Sequence, residues 1–215
     1  MPLTQAIPFG PDEADDLFAA FANTLQRSRS RDTDHLPDVD ALLTWLRGHG
    51  LISDRARAAE AGRLHRDPAE AARRLERFHH LRGLLHDMAE AVVEHGRPTA
   101  GQLRDLNHIL RHGLHFHQLR LDPQETSYSF AQIGDRLDQA RAIIASSFAQ
   151  FLADDAAHRL RVCGNPNCRW VFVDRSPTGR RRWCDMRTCG NQAKVARHRA
   201  RGKVDAGVHA GAAPV

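Results

Sequence analysis

The most distinctive part of the sequence is Arg161-Val-Cys-Gly-Asn-Pro-Asn-Cys-Arg-Trp-Val-Phe-Val-Asp174, followed after a short turn by Arg180-Arg-Arg-Trp-Cys-Asp-Met-Arg-Thr-Cys-Gly-Asn-Gln192. It contains all four cysteines of the 215-residue chain, as two Cys-x₄-Cys pairs: Cys163 with Cys168, and Cys184 with Cys189. Structural zinc sites are commonly built from two local pairs of ligands that meet in a tetrahedron. We therefore predict one Zn²⁺ per chain, held by these four cysteines.

The ligand count also indicates the role of the metal. Four thiolates complete the coordination shell of zinc and leave no position for water or substrate, so the predicted zinc is structural. His158 and His198 flank the pairs, and with four cysteines present we interpret them as surface histidines. Paired cysteines that bind a metal are typical of a reducing compartment. No apolar run approaches the roughly 20 residues that span a bilayer, so we expect a cytoplasmic protein without a membrane segment.

The order of residues in the cysteine-rich stretch predicts a treble-clef-like module. Residues 164–167, between the first pair, have the composition of a tight turn. Residues 170–173 are expected to form a strand, 176–179 a turn and 180–183 the returning strand. Cys184 and Cys189 would then lie at the start of a helix.

The basic charge of the protein is concentrated on this module. Residues 158–203 contain eleven Arg and two Lys against two Asp, a balance of +11, whereas residues 1–157 have a balance of −5. Such an asymmetry is the electrostatic footprint of a module that binds a polyanion.

We predict that the module binds DNA through basic residues of the returning strand and of the helix. These residues are Arg180, Arg181, Arg182, Arg187, Lys194, Arg197, His198 and Arg201. Ala193, Ala196 and Ala200 would form the opposite, small-residue face, along which the helix packs. Trp170 and Trp183 are expected in the small core of the module rather than stacked on bases.

Upstream, apolar residues at helical spacing predict a mainly α, α+β protein with a helical N-terminal domain over residues 1–157. Helices are expected over about 13–26, from Asp38 to Gly48, from Ser53 to Leu64, from Pro68 to Gly96, from Thr99 to Gly113 and over 135–157. Residues 114–130 are typical of one β-hairpin, with a bulge between Phe116 and Leu119. The zinc module would span 158–202, and the Gly- and Ala-rich tail, 203–215, is expected to be disordered.

The N-terminal domain is expected to sense a small-molecule effector or to form a homodimer. Histidines crowd residues 108–117, and His108 and His112 share a helix face. Pairs at this spacing can bind metals, but the sequence identifies no carboxylate partner for them. No residue identifies the effector.

The quoted motifs resemble known families. Arg180-Arg-Arg-Trp-Cys184 through Cys189-Gly-Asn-Gln192, with the preceding Cys-x₄-Cys and Phe-Val-Asp, resembles the CGNR zinc finger of bacterial proteins. Three segments resemble the ABATE domain, which is usually joined to this finger and is predicted to belong to stress-induced transcription regulators: Phe21-Ala-Asn-Thr24, Trp45-Leu-Arg-Gly-His-Gly-Leu51 and Leu106-Asn107. The resemblance implies zinc ligation by the four cysteines and DNA binding by the finger. Gln192 departs from the family signature, which has Arg at this position.

Two other function classes are alternatives to a DNA-binding regulator. In one, zinc folds a module that docks on RNA or on a protein without reading DNA sequence. The other is an enzyme, which we do not expect because the sequence lacks a Gly-rich phosphate loop, a nucleophile motif and a convincing pair of carboxylates.

Overall fold

The computed structural model describes residues 16–26, 32–113, 116–121, 128–197 and 199. The predicted tail at 203–215 lies outside these ranges, as do two of the predicted DNA-binding residues, His198 and Arg201.

The protein is mainly helical, as predicted. The helices that precede the cysteine-rich stretch are α1 (Leu17–Ala22), α2 (Val39–Gly48), α3 (Asp54–Arg66), α4 (Pro68–His95), α5 (Ala100–His112) and α6 (Arg136–Ala153). The antiparallel strand pairs are β1 (Leu25–Gln26) with β2 (Thr33–Asp34), β3 (Phe116–Leu121) with β4 (Tyr128–Ile133), and β5 (Leu160–Val162) with β6 (Val171–Val173). A short 3₁₀ turn, Ala156–Arg159, connects α6 to β5.

Side-chain caps explain where four of these helices begin. Asp38, Ser53, Asp67 and Thr99 each accept a hydrogen bond from a backbone N–H in the first turn, which would otherwise have no partner. Gly96 ends α4 in the left-handed conformation that glycine adopts without strain. These boundaries confirm the sequence prediction to within about two residues.

The N-terminal helix is shorter than we predicted. α1 ends at Ala22, and Thr24 turns its hydroxyl back to donate to the carbonyl of Phe21 at 2.7 Å. Leu25, which we placed on the helix, lies in β1. Its partner β2 lies between the first two predicted helices, where we predicted no strand. Asp34 of β2 is held by Arg82 of α4 through two hydrogen bonds of 2.6 and 2.7 Å.

The β3–β4 hairpin is present, but the predicted bulge is wrong. Phe116 pairs with Ile133 and Leu121 with Tyr128, and every residue between them pairs one to one. The spacing of apolar residues that suggested a bulge therefore reflects which side chains are apolar, not an extra residue in one strand.

Within the described residues, the main apolar core lies between α1, α2, α4 and α6. Phe18, Phe21, Phe78 and Phe148 are buried at its centre, together with leucines of α2 and α4. The same core includes Leu160 of β5 and Val171 of β6, each 1% exposed. The strand pair that leads into the cysteine cluster is therefore anchored in the helical body. Of the helices in the described ranges, none is both long and apolar enough to cross a bilayer.

Candidate metal centre and basic surface

The first cysteine pair lies at the tip of the β5–β6 hairpin. The N–H of Cys163 donates to the carbonyl of Trp170 at 2.8 Å, which extends the strand pairing by one residue. In the turn between them, the N–H of Cys168 donates to the carbonyl of Asn165, and the Asn165 side chain accepts from the N–H of Asn167. This Asx turn aims Cys163 and Cys168 toward one point.

The predicted returning strand at 180–183 is wrong, because β6 pairs with β5 upstream instead. Asp174, which is fully buried, accepts hydrogen bonds from the N–H groups of Ser176 and Arg181 at 3.0 and 2.7 Å. Burial alone would raise the pKa of Asp174, but the hydrogen bonds from Ser176 and Arg181 and the charge of Arg161 outweigh it and lower the pKa to about 2. The carboxylate therefore binds an N–H group that a strand ladder would have used.

The second pair lies around a turn that begins a helix. Asp185 accepts from the N–H groups of Arg187 and Thr188 and so caps a π-type turn, Met186–Gly190, that contains Cys189. The chain continues as an α-helix over 191–197, which we call α7. Cys184 precedes the cap, so the two cysteines approach the cluster from opposite ends of one turn.

The four sulfur atoms are spaced as a tetrahedral zinc centre requires. All four Sγ atoms lie within 4.8 Å of one another, with Cys168 and Cys184 3.6 Å apart and Cys184 and Cys189 3.7 Å apart. Zn–S bonds of about 2.3 Å in a tetrahedron give S–S separations of about 3.8 Å. The donor set and its spacing therefore fit one zinc ion.

The pKa values of the cysteines also indicate that the cluster needs a bound cation. Burial raises the pKa of Cys168 to about 12 and raises the pKa of Cys184 as well. For Cys189, hydrogen bonds from Asn165 and the neighbouring thiols outweigh burial and lower its pKa. Four thiolates cannot coexist in so small a volume without a cation, whereas a divalent metal stabilises all of them.

Gln192 has a structural contact that the sequence did not reveal. Its Oε1 accepts a 2.8 Å hydrogen bond from Nδ2 of Asn165, a residue that is 8% exposed. The bond joins the turn of the first cysteine pair to the first turn of α7. At this position the residue that departs from the family signature therefore connects the two halves of the metal centre.

Two sets of polar contacts hold the metal centre against the helical body. Asn23 donates to the carbonyl of Val171 at 2.8 Å and accepts from its N–H at 2.9 Å, as a neighbouring strand would. His86 of α4 donates through Nε2 to the carbonyl of Arg169, and Glu90, one turn later, pairs with the Arg169 guanidinium. Arg169 has a left-handed backbone, with φ of 55°. The residue after Cys168 is thus held in place by α4.

Several arginines of the module serve the fold rather than a ligand. Arg159 and Arg161 donate to backbone carbonyls of the turn at 176–179, and Arg175 pairs with Asp16. Arg181 donates to the carbonyl of Cys184 and lies over the ring of Phe172. Its predicted role in DNA binding therefore competes with a contact inside the module.

The remaining cations are exposed. Arg182 lies 5.0 Å over the ring of Trp183, which leaves its guanidinium edge accessible. Five other cationic side chains are exposed and have neither an ion-pair nor a hydrogen-bond partner within the described part of the chain: Arg180, Arg187, Lys194, Arg197 and Arg199. We call these five residues, with Arg182, the basic surface. Arg199 was missed because it does not follow the i, i+3, i+7 spacing of Lys194, Arg197 and Arg201.

The predicted packing face of α7 is wrong where the structure describes it, and its third member, Ala200, lies outside the described residues. Ala193 is half-buried, but Ala196 is exposed and Val195 is 47% exposed. Trp183 packs beside the cysteine cluster as predicted, whereas Trp170 is 39% exposed and is not a core residue. Beyond its first turn, α7 therefore projects from the module instead of lying on it.

Comparisons with known proteins give two matches. The ABATE family model, described as "Putative stress-induced transcription regulator", matches residues 15–155, and the CGNR zinc finger model matches residues 159–202. No curated protein gives a significant match.

Proposed function

Because the chain belongs to the ABATE family and also carries a CGNR zinc finger, we propose that it is a transcription regulator that binds DNA through its basic surface. The helical body senses an effector or forms a homodimer, and the zinc module contacts the nucleic acid.

Zinc binding positions the residues of the basic surface. One ion bound by Cys163, Cys168, Cys184 and Cys189 fixes the β5–β6 turn against the start of α7, and so sets the position of Arg187 and Lys194. The closed set of four sulfur ligands supports a structural role for the metal.

The observation that carries the proposal is the set of exposed cations without partners. A cation that already has a carboxylate partner gains little from a phosphate, whereas an unpaired one gains the full attraction and releases a counterion from the DNA. Five exposed cations that have no side-chain partner among the described residues lie on the zinc module, between residues 180 and 199.

The test is the salt dependence of binding to a mixed-sequence DNA duplex, which needs no knowledge of the operator. The triple variant Arg187→Gln, Lys194→Gln, Arg197→Gln should reduce the slope of log K against log salt by about 2 to 3. Fluorescence anisotropy of a labelled duplex measures both slopes.

A matched control removes three exposed arginines from the helical body: Arg55→Gln, Arg97→Gln and Arg136→Gln. It has the same change of net charge and should keep the wild-type slope. Equal slopes for the two triple variants would reject the basic surface. Binding that is stronger to RNA of the same length, or absent for both nucleic acids, would favour the RNA- or protein-docking function instead.

A further inference from the structure

A polar cleft lies on the helical body, away from the cysteine cluster. It has a volume of about 650 Å³ and is formed by α4, α5 and α6. The residues that matter here are Arg73, Arg77, His80, His108, Asp138 and Arg141. A volume of 300–1,000 Å³ is typical of sites for small molecules.

Arg141 is the unusual member of this cleft. Its side chain is 10% exposed, and its Nε has no hydrogen-bond partner among the described residues. Its nearest carboxylate oxygen, Oδ1 of Asp138, is 3.5 Å away. A buried guanidinium is costly unless its donors are satisfied, so this one lacks part of the compensation that it needs.

The carboxylate that should compensate it is shared. Asp138 lies 3.1 Å from Arg74, which also pairs with Glu70 and Asp135, and is 3.5 Å from both Arg77 and Arg141. Burial, together with the charges of Arg77 and Arg74, outweighs the attraction of Asp138 and lowers the pKa of Arg141. Among the described residues, Asp138 is the carboxylate that pairs with both Arg77 and Arg141, and it is shared with Arg74, so Arg77 and Arg141 have only part of one negative charge between them.

The other groups of the cleft narrow the class of ligand. His80, His108 and His112 line it, with the rings of His108 and His112 4.2 Å apart, yet within the described ranges these histidines do not form a metal-binding group. Glu76 and Asp105 are exposed carboxylates that also line the cleft. Their negative charges would repel an anionic ligand large enough to cover the whole cleft. A compact ligand held at the Arg77–Arg141 end is compatible with both facts.

We propose that this cleft is a binding site for a small oxyanion, a phosphate or a carboxylate group, held by the guanidinium groups of Arg77 and Arg141. Arginine presents its donors in a planar fork that matches two oxygens of such a group. The anion supplies the charge that Asp138 divides among three arginines. Small molecules that carry a phosphate and those that carry a carboxylate share this chemistry, so the test uses both.

The proposal does not depend on DNA binding, and its test uses no DNA. Isothermal titration of the zinc-loaded protein with inorganic phosphate, and separately with citrate, is performed at ionic strength held constant with sodium chloride. We expect saturable binding of one anion per chain. Arg77→Gln should weaken anion binding about tenfold or more, and Arg141→Met should do the same. Because the Arg77 side chain is 51% exposed, its replacement should change the stability of the fold little.

Two controls locate the binding. Arg111→Gln, in the adjacent shallow cleft of α5, should leave the affinity unchanged, as should the Arg187, Lys194, Arg197 triple variant of the zinc module. Tighter binding of phosphate than of citrate would identify a phosphate-bearing ligand, and the reverse a carboxylate. Absence of saturable binding by either anion overturns the proposal. It is also overturned if the zinc-module variant loses the binding and Arg77→Gln keeps it.

Discussion

At the scale of single residues, the amide group of Gln192 connects the turn of the first cysteine pair to the helix that follows the second pair. An amide can both donate and accept, and here its oxygen accepts from Asn165, whose own oxygen holds the Asx turn. The family's arginine has donors only, so it cannot take this role and would instead offer a charge to a phosphate. We therefore expect Gln192 to stabilise the cysteine cluster at the expense of one contact to DNA.

Gln192→Arg should weaken the zinc centre and strengthen the electrostatic attraction to DNA. Loss of the acceptor leaves the buried amide of Asn165 without this partner, which should cost about 1–3 kcal/mol of the linked zinc-binding and folding free energy. The new charge should steepen the salt dependence of DNA binding by about 0.9 in log–log slope. Competition with a chromophoric chelator measures the first effect, and anisotropy with a labelled duplex measures the second.

Gln192→Glu is the control, because it keeps an oxygen acceptor for Asn165 and adds no positive charge. It should retain zinc affinity close to that of the wild type. If Gln192→Arg binds zinc as tightly as Gln192→Glu, the hydrogen bond to Asn165 has no energetic importance.

At the scale of elements, most helices could be predicted from sequence because their signals are local. Asp38, Thr99 and Gly96 mark starts and ends through contacts with residues three or four positions away. The pairing of β6 could not be predicted, since residues 160–162 and 180–183 are both short stretches that could pair with it. Asp174 decides the outcome by binding the N–H of Arg181, and a side chain that captures backbone in this way leaves no periodic pattern.

The candidate site was predictable to the same extent. Four cysteines in two equal pairs predict that the four side chains cluster, which the structure confirms, because the chemistry of metal ligands is visible in the sequence. The contacts of Asn23, His86 and Glu90 with the hairpin were not predictable, because each joins residues about 80 to 150 positions apart. Sequence reasoning therefore located the cluster and missed what holds it to the body.

The contact of Asn23 with β6 gives an element-scale prediction. Asn23→Ala removes two hydrogen bonds to Val171 and should lower the free energy of unfolding by about 1–3 kcal/mol. Because the hairpin carries Cys163 and Cys168, zinc should also be lost at a lower chelator concentration. Asn23→Asp can still accept from the N–H of Val171 but cannot donate to its carbonyl, so an intermediate effect is expected. Wild-type zinc retention in Asn23→Ala would contradict this coupling.

The ion pair between Asp34 of β2 and Arg82 of α4 gives a prediction about how stability depends on pH. Hydrogen bonds from Arg82 lower the pKa of Asp34 below its ordinary value of 3.8, so the folded state favours the carboxylate. A lowered pKa stabilises the protein above the unfolded-state pKa, and this stabilisation is lost as the pH falls below about 4. Asp34→Asn should therefore destabilise the protein by about 2 kcal/mol near neutral pH, less than for a fully buried pair because Asp34 is 31% exposed.

Urea unfolding at several pH values measures this difference. The gap between wild type and Asp34→Asn should be constant above about pH 5 and should shrink toward pH 3. Asp54→Asn is the matched control, since its ion pair with Arg47 is exposed on both sides and should contribute almost nothing. A gap that stays constant down to pH 3 would show that Asp34 does not act through its charge.

At the scale of the whole molecule, the two matched regions share one core. The family models separate the chain at about residues 155–159, yet Leu160 and Val171 are buried among the helices. The cysteine cluster has only a small apolar set of its own, with Phe172 and Trp183 packed against it. We therefore expect zinc binding and the stability of the helical body to be linked.

Leu160→Ala tests this link. Truncation of a fully buried leucine should cost about 2–5 kcal/mol, and zinc release and loss of helical circular dichroism should shift together to lower denaturant concentration. Leu103→Ala, at a side chain of α5 that is 41% exposed, should change the free energy of unfolding by no more than about 0.5 kcal/mol. Zinc release and the loss of helical circular dichroism should then occur at nearly the wild-type denaturant concentration. Helical unfolding that shifts while zinc release does not would show two independent units.

The burial of Leu160 and Val171 also restricts how such a protein can evolve. A finger transferred by recombination at the boundary between the two family regions would arrive without a complementary surface, and the recipient would keep a gap in its core where these two side chains belong. The exchange would succeed only if residues equivalent to Asn23 and His86 came from the same ancestor. We therefore expect the finger and the helical region to have been inherited as one unit, with substitutions on one side of the boundary accompanied by substitutions on the other.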